Sequence, residues 1–347
     1  MKTLVMTGGG TGGHIIPNLA LIPTLKQHFK IYYLGEKNSL EERLISEVEG
    51  VEFISINAVK LVRKLTLKNM LIPFKLMKYI RDVKKILKKI KPDVIFAKGG
   101  YVSIPVAFAG RSLKIPILAH ESDFSMGLAN KLILRKVNVM FTSFRETCVG
   151  NKCLYSGNPI REEVFQGNKN IAIKNCKFQS QKPVLMFFGG SMGSKKINDF
   201  VFENIKNLKN FNIIHFVGRD KGQKVDAENY FQIEYANNIY DYFEYADVVV
   251  CRAGANSIFE LLALKKLMIL IPLSRAESRG DQIENAEVFK KNGYAQVLEE
   301  ENLNIQNFKK KVDTTIKNKS FYIKNMKNAG ENTARELICD YLIDFSE

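Results

Sequence analysis

The sequence predicts an α/β protein with two domains, each built on a parallel sheet. At 347 residues the chain is long for one domain and sufficient for two hydrophobic cores. Segments that are apolar throughout alternate with helical segments, which is typical of parallel strands covered by helices on both faces. A Gly-rich segment follows an apolar one twice, at residues 8–14 and 189–193. This repeat predicts two similar Rossmann-like domains facing one cleft.

The first domain is predicted to span residues 1–163, before a polar, linker-like segment at residues 166–182. Apolar runs define its strands, and recurrence at helical spacing defines its helices. Strands are expected at residues 3–7, 31–34, 51–55, 93–97, 116–120 and 138–142. Helices are expected near residues 17–29, 40–48, 74–91, 104–112 and 126–134.

The second domain is predicted to span residues 164–330 and to repeat the same scheme. A last helix, at about residues 331–347, is expected to pack back on the first domain. Strands of the second domain are expected near residues 184–188, 212–217, 247–251 and 267–271. Its helices are expected near residues 195–208, 255–264, 281–291 and 303–317.

Composition excludes several classes of protein. The five cysteines are scattered without a Cys-x-x-Cys pair, and the four histidines lack metal-ligand spacing, so we expect reduced thiols and no zinc site. We expect no membrane span, because no apolar run reaches about 18 residues, and no signal-peptide pattern precedes the first strand. An ordinary cytosolic globular protein fits these features.

A basic and apolar segment stands out within the net charge of +16. Residues 60–91 hold twelve lysines and arginines and one acid, Asp82, and contribute +11. Such a mixture suits an anionic bilayer surface. A solvated helix face is the alternative, since Met77, Ile80, Val83 and Ile90 recur at helical spacing and predict one buried face. Nucleic acid is the third candidate, but no recognised binding motif accompanies the charge.

The Gly-rich loops predict phosphate binding, because backbone N–H groups at a helix N-terminus attract anions. Gly8 to Gly13 fits a dinucleotide fingerprint only loosely, and a Walker lysine is missing. Gly99-Gly100 forms a third such loop after an apolar strand. Ligands of parallel sheets bind at the carboxyl ends of the strands, where all three loops fall. These features indicate an enzyme that handles a diphosphate-containing substrate.

An ordered set of motifs carries a family resemblance. Its members are Gly9-Gly10-Thr11-Gly12-Gly13-His14, Gly99-Gly100-Tyr101-Val102-Ser103, His120-Glu121, Gly157-Asn158-Pro159-Ile160-Arg161, Gly189-Gly190-Ser191-x-Gly193, Ala246 to Ala255, Glu260 and Ser278 to Asn285. Through these motifs essentially the whole chain resembles the MurG family of glycosyltransferase family 28. These bacterial enzymes move N-acetylglucosamine (GlcNAc) from UDP-GlcNAc to the undecaprenyl-linked acceptor lipid I.

The resemblance implies a fold, a reaction and a location. The fold is GT-B, with the acceptor in the first domain and the nucleotide sugar mainly in the second. The reaction is an inverting transfer to the muramoyl 4-hydroxyl that forms lipid II with a β1→4 bond, without metal or cofactor. The enzyme is expected on the cytoplasmic face of the cell membrane as a peripheral protein. The resemblance also implies roles in peptidoglycan synthesis, cell wall biogenesis, cell shape, cell division and the cell cycle, with other cell-wall synthesis proteins as expected further partners.

His14 is the candidate catalytic base under this resemblance. An inverting transfer needs a group that takes the proton of the attacking hydroxyl, and imidazole titrates near neutrality. The alternative is that His14 lies at the start of a helix and only forms hydrogen bonds with the loop. The expected acceptor-side residues are Gly100, Tyr101, Ser103, His120 and Glu121.

The resemblance also assigns residues to UDP-GlcNAc. Arg161 and the loop around Ser191 would stabilise the departing diphosphate, and Glu260 would accept both ribose hydroxyls. Ala236 would meet uracil through its backbone, and the amide of Gln282 would bond the sugar. The full set is Thr11, Gly12, Gly13, Asp123, Arg161, Ser191, Ala236, Ala255, Asn256, Ser257, Ile258, Phe259, Glu260, Gln282 and Asn285.

Four positions depart from the family pattern. Ser122-Asp123 replaces the usual Gln-Asn, which puts a carboxylate where an amide meets the donor sugar. Ile104 replaces a common glycine and is expected to alter the acceptor loop, because a β-branched residue disfavours positive φ. Met192 replaces a common glutamine.

Other functions remain as alternatives. A diacylglycerol glycosyltransferase would share the fold, the nucleotide site and the membrane association. A catalytically silent UDP-sugar-binding scaffold subunit would bind UDP-GlcNAc without turnover, and the retained His14 argues against it. A UDP-GlcNAc epimerase of the same fold would leave the basic apolar segment without a purpose.

Overall fold

The computed structural model describes residues 1–60, 72–190, 193–234 and 238–347. The described chain divides into two compact units. One comprises Met1–Arg161 with Asn332–Glu347, and the other comprises Glu162–Glu331. In the described ranges no helix is both long and apolar enough to cross a membrane.

The first unit is a parallel sheet with helices between its strands. Its strands are β1 (Lys2–Thr7), β2 (Phe29–Gly35), β3 (Val51–Ser55), β4 (Val94–Ala97), β5 (Ile117–Glu121), β6 (Val139–Thr142) and β7 (Cys153–Tyr155). Its helices within this stretch are α1 (Gly12–Leu25), α2 (Leu40–Ser46), α3 (Ile72–Ile90), α4 (Ser103–Ser112) and α5 (Leu128–Ile133). The strand order is β3-β2-β1-β4-β5-β6-β7, and every described pair is parallel.

The second unit repeats this construction. Its strands are β8 (Val184–Phe188), β9 (Asn212–Phe216), β10 (Tyr230–Ile233), β11 (Val248–Cys251), β12 (Leu267–Leu270) and β13 (Ala295–Val297). Its helices are α6 (Lys169–Cys176), α7 (Lys195–Asn204), α8 (Tyr240–Tyr245), α9 (Ala255–Ala263), α10 (Asp281–Lys291), α11 (Ile305–Lys317) and α12 (Lys319–Asn328). The order is β10-β9-β8-β11-β12-β13, again with parallel pairs.

A last helix, α13 (Ala334–Asp344), completes the core of the first unit. Successive residues of a strand point to opposite faces. Leu4 therefore packs in one cluster with Leu342 of α13, while Val5 packs in the other with Val83 of α3. Burial on both faces explains why the strands are apolar throughout.

Helix α3 buries one face, as its periodicity predicts, but Leu76 rather than Met77 begins that face. Val83 and Leu87 are buried, and Ile80 and Ile90 pack against the same cluster. Met77 was expected on this face and is instead 48% exposed. The basic residues between Leu61 and Leu71 lie outside the described residues.

The structure contains elements that the sequence analysis did not predict. Strands β7, β10 and β13 lie at sheet edges, and α8 and α12 are also new. The expected linker at residues 166–182 contains α6, whose N-terminus is capped by the side chain of Asn168. Helix α1 begins at Gly12 rather than near residue 17, and both Pro17 and Pro23 lie inside it.

Candidate active site

The carboxyl edge of each sheet has one point where a ligand crevice is expected. Strand order reverses between β1 and β4 in the first unit and between β8 and β11 in the second. Loops leaving the two strands at such a point run to opposite faces of the sheet, and ligands of open parallel sheets bind between them. The two Gly-rich segments follow β1 and β8, so each lies at a reversal point.

A buried carboxylate that the sequence analysis missed holds the first Gly-rich loop. Glu41, in α2, is fully buried and accepts hydrogen bonds from the backbone N–H groups of Gly10 and Glu36, each at 3.3 Å. A Cβ built on Gly9 would collide with the same carboxyl group. The expectation that this whole loop offers bare N–H groups to phosphate is therefore wrong at Gly10, whose N–H the protein itself occupies. Thr11 and Gly13, at the start of α1, are exposed.

His14 lies in the first turn of α1, at the point where three segments meet. Its backbone N–H donates to the carbonyl oxygen of Thr11 at 3.1 Å, and its side chain is half-buried. A Cβ built on Gly99 would lie 3.3 Å from Nδ1 of His14 and 3.2 Å from both polar atoms of the Asn130 amide. The geometry thus brings the imidazole to the carboxyl edge beside β4 and α5. Its role as the base stays a prediction.

The Gly99–Ser103 loop packs directly against the first Gly-rich loop. Gly100 has a φ of +75°, and a Cβ there would collide with the carbonyl oxygen of Gly9, so only glycine fits. The hydroxyl of Ser103 donates to the carbonyl oxygen of Gly99 at 2.6 Å and is fully buried, so it closes the turn before α4. Tyr101 donates its phenolic hydrogen to Glu36.

The departure at Ile104 does not strain this loop. Ile104 is the second residue of α4 and is 2% exposed in the core of the first unit. Positive φ falls on Gly99 and Gly100 instead. The expectation that Ile104 alters the loop through its backbone is therefore wrong.

His120 and Glu121 end β5 and lie inside the unit. His120 is fully buried, and its Nε2 lies 2.9 Å from the carbonyl oxygen of Gly157, so Nε2 carries the hydrogen. Burial and the nearby charge of Lys98 hold the pKa of His120 well below its usual range, so the imidazole is neutral. A direct contact of this ring with an acceptor stays a prediction.

The carboxylate of Glu121 organises the loop that follows β5. It accepts hydrogen bonds from the backbone N–H groups of Asp123 at 3.1 Å and Gly127 at 2.8 Å, and from the amide of Asn130 at 2.9 Å. Three donors to one carboxylate fix its position and leave it poorly suited to proton transfer. Asp123 is half-buried in the loop that these bonds shape, and Arg161 ends the first unit.

In the second unit the Gly-rich loop leads into α7 through a capping serine. Ser194 accepts a hydrogen bond from the N–H of Ile197 at 3.4 Å, which satisfies part of the helix N-terminus. Gly190 has a φ of +89°, and a Cβ there would meet open space. The predicted Ser191, together with Met192, lies outside the described residues.

Arg252, which the sequence analysis left without a role, joins four loops at this edge. Its guanidinium pairs with Glu300 and donates to Ser194 at 2.8 Å and to the carbonyl oxygens of Ile271 at 3.2 Å and Pro272 at 3.3 Å. The two charged side chains are only 7% and 9% exposed. A planar guanidinium suits such multiple contacts. Its only sequence signal was a charge directly after the apolar strand β11.

The remaining residues that were predicted to bind the donor lie on α9 and α10. Helix α9 contains Ala255 to Glu260, and Glu260 is 9% exposed. Ile258 and Phe259 point their side chains into the core, so any contact with a ligand would use their backbone. Gln282 accepts from the N–H of Leu273 at 3.1 Å, and Asn285 donates to the carbonyl oxygen of Ala253 at 3.2 Å.

The uracil contact at Ala236 lies outside the described residues. Across the part of the chain that the structure describes, no group of three or more His, Cys, Asp or Glu side chains could hold a metal ion.

Comparison with known proteins gives the class first. The glycosyltransferase family 28 N-terminal domain matches residues 4–142, and the corresponding C-terminal domain matches residues 184–341. The crystal structure of Acinetobacter baumannii MurG superposes with a TM-score of 0.78 at 24% identity, covering 99% of this chain and 100% of that one. The UDP-GlcNAc 2-epimerase of Neisseria meningitidis, bound to UDP-GlcNAc, superposes with a TM-score of 0.66 at 15% identity over 99% of this chain and 100% of the other. The fold is α/β of the GT-B class, as expected.

Closer relatives give the particular family. The UDP-N-acetylglucosamine–N-acetylmuramyl-(pentapeptide) pyrophosphoryl-undecaprenol N-acetylglucosamine transferase of Clostridium botulinum (strain Kyoto / Type A2) is 46% identical over 98% of this chain and 99% of its own length. The transferase of the same name from Clostridium tetani is 44% identical over 98% of this chain and 97% of its own length. The chain belongs to this family of glycosyltransferases, the MurG family.

Proposed function

We propose that this protein transfers GlcNAc from UDP-GlcNAc to the muramoyl 4-hydroxyl of lipid I, with inversion, and so forms lipid II in peptidoglycan synthesis. The observation that carries the proposal is the 46% identity to the C. botulinum transferase over 98% of the chain, since that relative is named for this donor and acceptor. The positions of His14 and of the second Gly-rich loop support it.

The second unit would bind the donor. The carboxylate of Glu260 would accept the ribose hydroxyls, and the amides of Gln282 and Asn285 would bond the sugar. The start of α7, with the loop around Ser191, would bind the diphosphate through backbone N–H groups and the helix dipole. Arg161 would add a permanent positive charge as the diphosphate leaves.

The first unit would supply the base. His14 takes the proton of the 4-hydroxyl as that oxygen attacks the anomeric carbon, and UDP leaves from the opposite side. Glu121 shapes the neighbouring loop through its three N–H donors, and His120 remains neutral. The N–H groups at the exposed start of α1, Thr11 to Gly13, would approach the substrate diphosphates.

The protein is proposed to work at the cytoplasmic, anionic face of the bacterial membrane as a peripheral enzyme, alongside other cell-wall synthesis proteins. The start of α3 supports this location. Phe74 is 67% exposed and Met77 is 48% exposed, and Lys75, Lys78 and Arg81 lie around them. Exposed apolar side chains among cations bind anionic interfaces. Cell shape and cell division would depend on the enzyme through its product.

Turnover tests the proposed function. Purified protein receives UDP-GlcNAc in EDTA, with a lipid I analogue or diacylglycerol as acceptor, and UDP release is measured. Release with the lipid I analogue alone is the expected result. Release only with diacylglycerol would identify the glycolipid transferase alternative. UDP-GlcNAc binding without release would favour the silent scaffold.

Vesicle binding tests the location. The variant Phe74→Ser/Met77→Ser/Lys75→Gln should lose affinity for anionic vesicles while keeping turnover on a water-soluble lipid I analogue. The variant Lys310→Gln/Lys317→Gln, on the exposed side of α11, serves as a charge control and should bind as well as the unmodified protein. Equal vesicle binding by both variants would contradict the location.

A further inference from the structure

A buried lysine, Lys98, directly precedes the Gly99–Ser103 loop, which was predicted to bind the acceptor. Lys98 follows β4, is 1% exposed, and donates from Nζ to the hydroxyl of Ser122 at 2.7 Å. Burial lowers its pKa to about 8, while the carboxylates of Glu121 and Asp123 oppose that shift. A buried ammonium group is costly unless charges and acceptors compensate it. The buried ammonium group of Lys98 therefore depends on the hydrogen-bond acceptor and the carboxylates around it.

The hydroxyl that receives this bond begins a buried polar chain. Ser122 donates to Oδ1 of Asn158 at 2.9 Å, and Ser143 donates to the same oxygen at 3.2 Å. The amide of Asn332 donates to the backbone carbonyl of Asn158 at 2.9 Å. These hydrogen bonds connect the carboxyl ends of β4, β5 and β6 with the segment before α13.

The titratable groups that interact with Lys98 come from one neighbouring strand and its loop. They are the carboxylate of Glu121, saturated by three N–H donors, the carboxylate of Asp123, and the neutral imidazole of His120. Glu121 is fixed by its own bonds, so Asp123, in the half-exposed loop, is the partner whose position can respond to the charge at residue 98.

We propose that Lys98 is a positioning residue, whose ammonium group holds the Ser122–Asp123 segment in its working position through Ser122 and through charge compensation of Asp123. The proposal rests on the proposed function only for its activity measurements.

Three variants test the coupling by activity. Lys98→Met should lower kcat at least tenfold, because Asp123 loses its compensating charge. Asp123→Asn should be milder, and the double variant should recover several-fold relative to Lys98→Met. Lys26→Met and Asp340→Asn, at exposed positions of the same unit, are the matched controls. Multiplicative losses in the double variant, or unchanged activity of Lys98→Met, would overturn the proposal.

A pH profile separates positioning from mere folding. In the unmodified protein kcat should fall as pH rises through about 8, because Lys98 then loses its charge. Asp123→Asn should move this fall to lower pH, because one carboxylate that stabilises the ammonium is gone. The fall should also become smaller, because no carboxylate at residue 123 then needs compensation, and Asp340→Asn should leave the profile in place. An unshifted profile in Asp123→Asn would overturn the proposal.

One measurement is independent of turnover and of the Lys98→Met variant's folding. Lysine labelled with ¹³C at Cε reports the titration of Lys98 by NMR, and its midpoint should fall in Asp123→Asn but not in Asp340→Asn. If the protein shows no transferase activity, the proposed function fails while this titration still decides the role of Lys98. Equal midpoints in the two variants would overturn the inference.

Discussion

Removing Arg252 should weaken the second unit far more than removing an exposed cation. The variant Arg252→Met keeps most of the aliphatic volume but leaves the carboxylate of Glu300, only 9% exposed, without its described cation. Breaking a buried pair on one side costs about 3–5 kcal/mol, because a charge stays buried and uncompensated. The double variant Arg252→Met/Glu300→Gln should cost less, since it leaves no such charge.

Hydrogen exchange is the suitable assay, because a chain of two units need not unfold in a two-state manner. At 1.4 kcal/mol per factor of ten, the loss corresponds to about 10²- to 4 × 10³-fold faster exchange in the most protected amides of β8, β11 and β12. Lys290→Met is the control, because Lys290 and Glu287 pair at the surface, with side chains 52% and 50% exposed. Exposed pairs contribute about 0–1 kcal/mol.

The same variant should also weaken the donor site. Arg252 donates to the hydroxyl of Ser194, the capping residue of α7, and loss of such a hydrogen bond costs about 1 kcal/mol. UDP-GlcNAc should therefore bind about fivefold more weakly to Arg252→Met in a calorimetric titration, and equally well to Lys290→Met. Similar exchange rates in Arg252→Met and Lys290→Met would refute the reasoning that the buried pair holds these loops.

Three further predictions concern single residues. His14→Ala should lower kcat by about 10²–10⁴-fold with little change in KM for UDP-GlcNAc, while the exposed control His28→Ala keeps full activity; a change in KM alone would make His14 a donor-binding residue. Gly100→Ala should destabilise the first unit by about 1–3 kcal/mol more than Gly50→Ala, because both have positive φ but only Gly100 adds a collision with backbone. Exchange of the β1 and β4 amides measures the difference, and equal costs would exclude the collision. The stability of the second unit should fall as pH drops below about 6.5, because burial lowers the pKa of His215 to about 3 and the unfolded chain therefore binds more protons in that range; His215→Gln should flatten this slope, and an unchanged slope would assign it to other groups.

The central strands could be predicted from the sequence, and the edge strands largely could not. A strand covered on both faces needs apolar residues throughout, and Val184–Phe188 is an example. The three missed strands, β7, β10 and β13, lie at sheet edges and have three or four residues each. Short edge strands are partly open to water, so their sequences carry no continuous apolar signal.

Buried residues that support the site could not be identified from the sequence either. Glu41 and Glu42 both look like acids in the first turn of α2. Glu42 reaches back to the N–H of Asn38, whereas Glu41 is buried against the first Gly-rich loop. Which acid turns inward depends on how α2 packs against α1, β2 and β3, and the local pattern does not encode it. Lys98 and Arg252 were missed for the same reason.

The glycines and the histidine of the motifs were easier to identify from the sequence, because they directly follow apolar strands, where a parallel sheet places its ligand-binding loops. Gly100 shows this, since its positive φ and the adjacent Gly9 carbonyl leave room for no other residue. The position of His14 beside Gly99 and Asn130 follows from the strand order, which places β1 next to β4.

The glycosidic linkage in the product decides most directly whether the protein transfers GlcNAc with inversion to the muramoyl 4-hydroxyl. The protein is incubated with UDP-GlcNAc labelled with ¹³C in the sugar and a lipid I analogue, and the isolated product is examined by NMR at the anomeric carbon. The account predicts one new bond, in the β configuration, to the 4-oxygen of the muramoyl residue, which His14→Ala forms much more slowly. A product in the α configuration, or transfer of labelled GlcNAc to another acceptor atom, would contradict it.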